Sequence, residues 1–366
     1  TTEIYTLSLH DALPIYKGWR CFLKDYAWTG LIIGFLLGVL LQRGRVCFNS
    51  AFRDILLMKD NYLWKLVILT LLMEAFAFHI MAHFGLIKLN PFPFNPVGDT
   101  LGGFIFGIGM ILGGGCASGV TYRIGEGATT AWFAAIFYGL TVAAVKNGIL
   151  SPWSSWLDKF NVTVPSPTPL FLQSSKPGEV AFTGPSITSL TGISPWIVLL
   201  LITIPVLWYV FATSTSERKA PWDWRIIAVA LTAISAAGYW LRFATNNGKS
   251  GLGITGGWAD LMATCFTGDP ATWISFELIG IVVGAYVSAM LGKEYKLRMP
   301  RNASTYVQSI AGGILMGFGA ASAGGCNIGH MLVGVPQFAL SSITATLFFI
   351  IGNWTMVWFM YMSNKE

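Results

Sequence analysis

The stretch that decides the fold occurs twice. The first copy reads G-G-F-I-F-G-I-G-M-I-L-G-G-G-C-A-S-G from Gly102 to Gly119, and the second reads G-G-I-L-M-G-F-G-A-A-S-A-G-G-C-N-I-G from Gly312 to Gly329. A constant offset of 210 residues relates the copies, so that Cys116 corresponds to Cys326. This repeat predicts that two halves of one fold each bring a cysteine to an equivalent place.

The composition is that of a membrane protein. Of the 366 residues, 54% are hydrophobic and only 11% are charged, whereas soluble domains have roughly 25% charged residues. The mean hydropathy is +0.60. The net charge of +6 suits a path for anions or contact with anionic lipid, and the absence of a nucleic-acid-binding motif argues against nucleic acid as a partner.

Apolar stretches predict about nine membrane segments, some of them too short to cross fully. They lie at about 28–41, 63–84, 130–149, 196–212, 225–241, 274–291 and 340–361, together with the two glycine-rich copies. We therefore predict an all-α integral membrane protein with two inverted repeats, in which short half-helices and Gly-rich loops meet at a central path.

The predicted organisation has four parts. Residues 1–24 are a lead-in, of which about the first 15 resemble translated sequencing-adapter sequence and are excluded from the fold. Residues 25–150 and 196–366 are the two membrane repeats. Residues 151–195, rich in Pro, Ser, Thr and Trp, are an extramembrane connection, and 246–257 is a third glycine-rich break.

The distribution of Lys and Arg predicts the orientation. Lys293, Lys296, Arg298 and Arg301 follow one span, and Arg218, Lys219 and Arg225 lie two spans earlier. Both clusters are expected on the cytoplasmic side, which places the 151–195 connection outside and makes the two glycine-rich copies enter the membrane from opposite faces.

Each glycine-rich copy ends in G-G-C-x-x-G, and this predicts a break in the helix just before the cysteine. Irregular backbone at membrane depth is tolerated where it lines a cavity or is buried in protein, and the next helix start offers N–H groups to an anion. The alternative is that glycine serves only helix packing and cysteine is a small buried hydrophobe. The paired occurrence favours a functional site.

The other cysteines and several ionisable residues each fit a functional role or a structural one. Cys47 follows Arg43 and Arg45 in R-G-R-V-C-F-N, which fits either an anion site or a basic cluster that only fixes topology. Cys265 has no counterpart at the repeat offset and is expected to be a packing residue. His330 could activate the Cys326 thiol. Glu74, His79 and His83 share one span and could carry a proton, although pairing with neighbours is favoured.

Three other classes of protein were considered. A membrane thiol-redox enzyme would need a close cysteine pair or a C-x-x-C motif, and the sequence shows neither. A channel for a small neutral solute would explain the glycines but not the paired cysteines. A soft-metal permease would have more clustered Met, Cys and His. The sequence predicts no cofactor and no metal site.

Several motifs together resemble the YeeE/YedE family of membrane proteins with a sulphur-transport domain. They are V-C-F-N-S-A-F-R-D from Val46, G-G-C-A-S-G-V-T-Y-R-I-G-E-G from Gly114, K-L-R-M-P-R from Lys296, G-G-C-N-I-G from Gly324 and G-V-P-Q-F from Gly334. The resemblance covers nearly all of the chain after the first two dozen residues and is strongest to the thiosulfate-uptake members.

This resemblance implies a transporter rather than an enzyme. Its expected activity is uptake of thiosulfate across the bacterial inner (plasma) membrane, by a multi-pass protein in contact with membrane lipid. A separate small cytosolic TusA-like sulfur-carrier protein is the expected partner. The selenium-linked branch shares these motifs, so a selenium compound or another sulfur oxyanion is the alternative substrate.

The resemblance also implies that Cys47, Cys116 and Cys326 line the path, either by hydrogen bonding to the ion or through a covalent persulfide relay. The predicted supporting residues belong to the same motifs. They are Gly114, Gly115, Gly119, Gly324, Gly325, Gly329, Arg43, Arg45, Asn49, Arg53, Arg123, Asn327 and His330.

Overall fold

The computed structural model describes residues 26–166, 170–171, 182–216 and 221–363. The lead-in, Cys21, Arg218 and Lys219 lie outside these ranges. The first half contains α1 (Trp28–Gly44), α2 (Phe48–Met58), α3 (Tyr62–His83), α4 (Gly103–Leu112), α5 (Ala117–Gly125) and α6 (Thr129–Lys146). After the connection come α9 (Pro195–Ala212), α10 (Trp224–Ala244), α11 (Ile254–Thr267), α12 (Trp273–Leu291), α13 (Ser304–Ala323) and α14 (Leu340–Val357).

The prediction of an all-α integral membrane protein is confirmed. Among the described residues, eight helical segments are long and apolar enough to cross a membrane. A ninth is formed if Ser304–Ala323 and Ile328–Gln337, which meet at a 41° bend, make one span. The expected number of about nine membrane segments therefore holds.

One predicted segment is longer than expected, and one predicted boundary is wrong. The first apolar stretch lies within α1, which continues to Gly44 and forms with α2 a 31-residue segment long enough to cross a membrane. The third glycine-rich break ends at Gly253, where α11 begins, rather than at residue 257. The sequence did not predict α11, since its 14 residues are too few to cross a bilayer.

The connection between the halves contains little regular structure. Within its described part lie α7 (Ser151–Leu157), a two-stranded pair of β1 (Val164–Pro165) with β2 (Phe182–Thr183), and α8 (Ile187–Thr191). None of these elements is long enough to cross a membrane. The boundaries of the two repeats stay a prediction.

The core joins the two halves through glycine. The helices α1 and α12 run parallel, with Gly30 against the Trp273 carbonyl, Gly34 against that of Glu277 and Gly38 against that of Ile281. A Cβ at any of the three would lie 2.0–2.3 Å from a carbonyl oxygen, so only glycine permits this approach.

The helices that carry the two glycine-rich copies run antiparallel. Gly102 packs against Gly319 near one end of this pair, and Gly109 packs against Gly312 near the other. An inverted arrangement of the two copies requires α4 and α13 to run antiparallel in this way. That the complete halves are inverted repeats stays a prediction.

Candidate transport site

Both glycine-rich copies contain the expected break. One lies between α4 and α5, and the other lies between α13 and a π-helix at Ile328–Gly334. Equivalent glycines open the breaks with left-handed backbone, Gly114 at φ +71° and Gly324 at φ +84°. Glycine adopts this conformation without the steric cost that a Cβ would bring.

A polar side chain secures each break from the helix that follows it. Nη1 of Arg123 donates to the Gly114 carbonyl. His330 Nε2 is hydrogen-bonded to the Ala323 carbonyl at 2.8 Å, and its Nδ1 to Ser342 Oγ at 3.0 Å. Both ring nitrogens are therefore engaged away from Cys326, and the expectation that His330 activates that thiol is not supported. His330 instead fixes the broken loop at Gly324 through these two hydrogen bonds.

The Cys47 and Cys116 thiols are in contact, with 3.7 Å between the Sγ atoms. Each cysteine lies immediately before a helix, Cys47 before α2 and Cys116 before α5. The Cys116 thiol also lies 3.2 Å from Ser118 Oγ and accepts a hydrogen bond from the Gly119 N–H. The chain therefore does contain a close cysteine pair, and the expectation that a thiol-redox enzyme is excluded by the absence of such a pair is wrong on this point.

Gly119 makes room for the two sulfur atoms. A Cβ at this position would lie 2.8 Å from Cys47 Sγ and 3.4 Å from Cys116 Sγ. The equivalent Gly329 has open space, with only Phe92 at 4.0 Å. The repeat therefore conserves the break but not this contact, and Cys326 has no cysteine partner among the described residues.

Cys326 lines a cavity of about 170 Å³, which we call the Cys326 cavity. The cations Lys146 and Arg242 line it, together with the first turn of α11 and the broken loop at Gly324–Gly325. Arg242 Nη1 donates to the Gly251 carbonyl at 2.6 Å. These two cations were missed by the sequence analysis, because each lies at a helix end far along the chain from any cysteine.

A second cavity, of about 340 Å³, is lined by residues of the helices that follow the thiol pair, Ser50 of α2 and Arg123 of α5 among them. Arg45, Arg123 and Arg298 line this arginine cavity, with Glu126 as the acidic residue in its wall. Arg45 lies between α1 and α2, two residues before Cys47, and its backbone is left-handed. In the sequence, Arg298 belongs to the basic cluster that predicts orientation and to the K-L-R-M-P-R motif, but neither predicted its position in this cavity.

Tyr138 connects the two thiol positions. Its side chain is fully buried, and its hydroxyl lies 2.7 Å from Oγ1 of Thr255, which lines the Cys326 cavity. The Tyr138 hydroxyl also lies near Cys326 and Cys116. A tyrosine in the middle of α6 gave no signal in the sequence, since aromatic residues are common in membrane helices.

The remaining predicted residues lie at the edge of this arrangement. Arg43 donates to the Ser288 carbonyl and ties α1 to α12. Arg53 pairs with its neighbour Asp54. Asn49 accepts from the Asn353 amide and joins α2 to α14. Asn327 is buried beside Cys326 and its amide donates to Met331 Sδ.

The ionisable residues of α3 are not paired as expected. Among the described residues, neither carboxylate oxygen of Glu74 has a hydrogen-bond partner, and the side chain is fully buried. His79 is hydrogen-bonded within its own helix, to the Ala75 carbonyl. The expectation of pairing is therefore wrong for Glu74.

The spans, the broken helices and the two cation-lined cavities define an integral membrane transport protein. The chain belongs to the sulphur transport family, whose model matches residues 43–355. As a member of that family it is a multi-pass transporter rather than an enzyme.

Two similar proteins extend over almost the whole chain. The thiosulfate transporter TsuA of Spirochaeta thermophila is 51% identical over 334 residues, covering 91% of this chain and 99% of that protein. The protein of the same name in Escherichia coli is 31% identical over 348 residues, covering 92% and 96%. The probable transporter YedE of Salmonella typhimurium matches only 88 residues, 24% of this chain, at 41% identity.

Proposed function

We propose that this protein imports thiosulfate along a path from the Cys326 cavity to the thiol pair and on to the arginine cavity. The observation that carries the proposal is the placement of all three cysteines at helix breaks, with two cation-lined cavities near these breaks. Cys326 lines one cavity, and the helices that follow Cys47 and Cys116 line the other. The high identity to a protein named a thiosulfate transporter, over nearly the full length of both chains, supports the choice of ion.

The chemistry of the site suits both ends of this ion. Thiosulfate carries a soft terminal sulfur and a hard, charged sulfonate group. Thiols are polarizable and offer weak S–H donors to the sulfur, whereas arginine, lysine and free helix N–H groups bind the sulfonate oxygens. No contact on this path needs to be strong, and weak binding at several sites permits release.

The described conformation is closed between the two cavities. Cys47, Cys116 and Cys326 are each at most 1% exposed. Transport therefore requires the side chains between the cavities to move, and Tyr138 with the thiol pair occupies this stretch. The arrangement supports alternating exposure of the two cavities rather than an open pore.

Inward movement of a dianion also needs a driving force. Against an inside-negative potential of 100 mV, two negative charges cost about 4.6 kcal/mol. We propose that cytosolic consumption of the sulfur, through a separate TusA-like carrier protein, keeps the inward gradient. The proposal places the protein in the bacterial inner membrane, with the arginine cavity facing the cytoplasm because Lys293, Lys296 and Arg301 lie near Arg298 in sequence.

Uptake of sulfur-35-labelled thiosulfate by cells lacking other thiosulfate importers tests the proposal. The variants Cys47→Ala, Cys116→Ala and Cys326→Ala are expected to lose most uptake at matched expression, because each removes one thiol contact. The exposed Cys265 supplies the matched control, and Cys265→Ala is expected to retain uptake. Normal uptake in all four variants would show that the thiols are packing residues only.

The substrate is tested separately by competition. Excess unlabelled thiosulfate is expected to suppress uptake of the label, whereas sulfate, which lacks the soft terminal sulfur, is not. If wild type takes up no thiosulfate but accumulates selenium from a labelled selenium compound, the proposed substrate is wrong and the selenium-linked alternative replaces it.

A further inference from the structure

Two carboxylates pair with two of the three arginines of the arginine cavity. Glu126 Oε2 lies 3.7 Å from a guanidinium nitrogen of Arg298, and Glu294 Oε2 lies 3.5 Å from one of Arg45. The Gln42 amide donates to both carboxylates, at 2.7 Å to Glu294 and at 3.4 Å to Glu126. One amide therefore holds the two acids side by side.

The backbone around this cluster is fixed by hydrogen bonds. The Arg298 N–H donates to the Gly127 carbonyl at 2.9 Å, and the Thr129 N–H donates to the Arg298 carbonyl at 3.1 Å. Gln42 is fixed in turn, since its amide oxygen accepts from the Ser288 hydroxyl at 2.6 Å. The backbone therefore holds the glutamates and arginines at defined positions. Only their long side chains need to move when a guanidinium group changes its partner.

An anion that reaches this cavity finds its arginines engaged. Arg45 and Arg298 are 44% and 46% exposed, so water and ions reach their guanidinium groups. With no competing carboxylate, three arginines would hold a dianion tightly and slow its release. A resident carboxylate weakens that binding, because the anion must displace it and it returns as the anion leaves.

We propose that Glu126 and Glu294 are resident counter-anions of the arginine cavity, which exchange with the transported anion and set how readily it leaves. This inference rests on the proposed transport of thiosulfate. It assigns the two glutamates as positioning residues that act through Arg298 and Arg45.

The test is the kinetics of sulfur-35-labelled thiosulfate uptake by the purified full chain in lipid vesicles. Glu126→Gln and Glu294→Gln keep an amide oxygen for Gln42 but remove the charge. Each is expected to lower KM about two- to fivefold, the range that exposed ion pairs allow, and to lower the maximal rate, since release slows. Arg298→Gln is expected to raise KM.

The opposite directions distinguish exchange from a structural role. If the ion pair only holds the fold together, removing either partner weakens the same contact, so Glu126→Gln and Arg298→Gln shift KM in the same direction, and that result overturns the inference. The double variant Glu126→Gln/Arg298→Gln is expected to return KM toward the wild-type value. Failure of the double variant to do so also overturns it.

Controls separate folding from kinetics. Asp223 caps the first turn of α10 by accepting from the Arg225 N–H, and Asp223→Asn keeps a capping side chain while removing one negative charge. This variant is expected to leave both parameters unchanged. If Glu126→Gln elutes as aggregate on gel filtration, Glu294→Gln is compared in the same way with Arg45→Gln, the variant of its own partner. No uptake by wild-type vesicles would refute the proposed function itself, whereas normal wild-type uptake with unchanged KM in the variants refutes only this inference.

Discussion

The contact between the Cys47 and Cys116 thiols depends on a residue without a side chain. Gly119 lies on the first turn of α5, and the space that its missing Cβ leaves is filled by Cys47 Sγ. The Gly119 N–H also donates to the Cys116 thiol. A single glycine thus both admits one sulfur and orients the other.

Gly119→Ala is expected to displace the Cys47 side chain, because the new methyl carbon would lie 2.8 Å from Cys47 Sγ. We expect thiosulfate uptake to fall by about tenfold, which corresponds to a loss of ~1.4 kcal/mol at the thiol pair. The measurement is labelled uptake in cells at matched expression.

The repeat supplies the control for this substitution. Gly329 occupies the equivalent place after Cys326 and lines the Cys326 cavity, where a methyl group meets nothing closer than 4.0 Å. Gly329→Ala is therefore expected to lower uptake much less than Gly119→Ala. Equal activity of the two alanine variants would show that the spacing of the thiols does not matter for transport.

The sequence was sufficient to predict the helix break inside each glycine-rich copy. Gly114 and Gly324 were expected at the breaks, and both have left-handed backbone there. The sequence could not predict the Cys47–Cys116 contact, because 69 residues separate the two cysteines and only the tertiary fold brings the starts of α2 and α5 together. Arg242 was missed for the same reason.

Among the elements, the pair of α1 and α12 is the most closely packed. Glycines contribute from both helices, since Gly280 and Gly284 of α12 also face the backbone of α1 at Leu31 and Phe35. Such close approach allows extensive van der Waals contact, which drives helix association in lipid. This pair is therefore expected to stay fixed while the breaks near the cysteines change shape.

Gly34→Ala tests this role. A methyl group there would lie 2.0 Å from the Glu277 carbonyl oxygen, so the two helices must separate, at a cost of about 1–3 kcal/mol. We expect a lower midpoint of thermal unfolding in detergent. Leu36→Ala, on the exposed side of the same helix, is the control and is expected to change the midpoint much less.

The long spans were predictable and the short elements were not. Each span from α3 to α14 that crosses fully has an apolar stretch in the sequence close to its observed bounds. In contrast, α11 begins with Ile-Thr-Gly-Gly and is 14 residues long, which resembles a loop in sequence. Its helical form depends on packing, since Gly257 lies against the Ile274 carbonyl of α12.

For the molecule as a whole, the two cavities predict that different cysteines are accessible from the two sides of the membrane. A membrane-impermeant maleimide applied to intact cells is expected to modify Cys326, and in inside-out vesicles it is expected to modify Cys47 and Cys116. Because the thiols are buried, labelling should be slow, and thiosulfate should accelerate it by promoting the open forms.

Mass spectrometry of the modified peptides measures this labelling. The exposed Cys265, treated with a membrane-permeant maleimide, is the control for reagent activity. Modification of all three path cysteines from one side only would contradict the assignment of the cavities to opposite faces.

The pairing of α1 with α12 also has a consequence for biogenesis. The glycine face of α1 leaves the ribosome more than 200 residues before Trp273, so it enters the bilayer without its partner. During this interval only lipid, or an insertion chaperone, can cover the exposed backbone of Gly30, Gly34 and Gly38. A nascent chain that stalls before α12 would keep this face open, and membrane proteases could recognise it as unfinished.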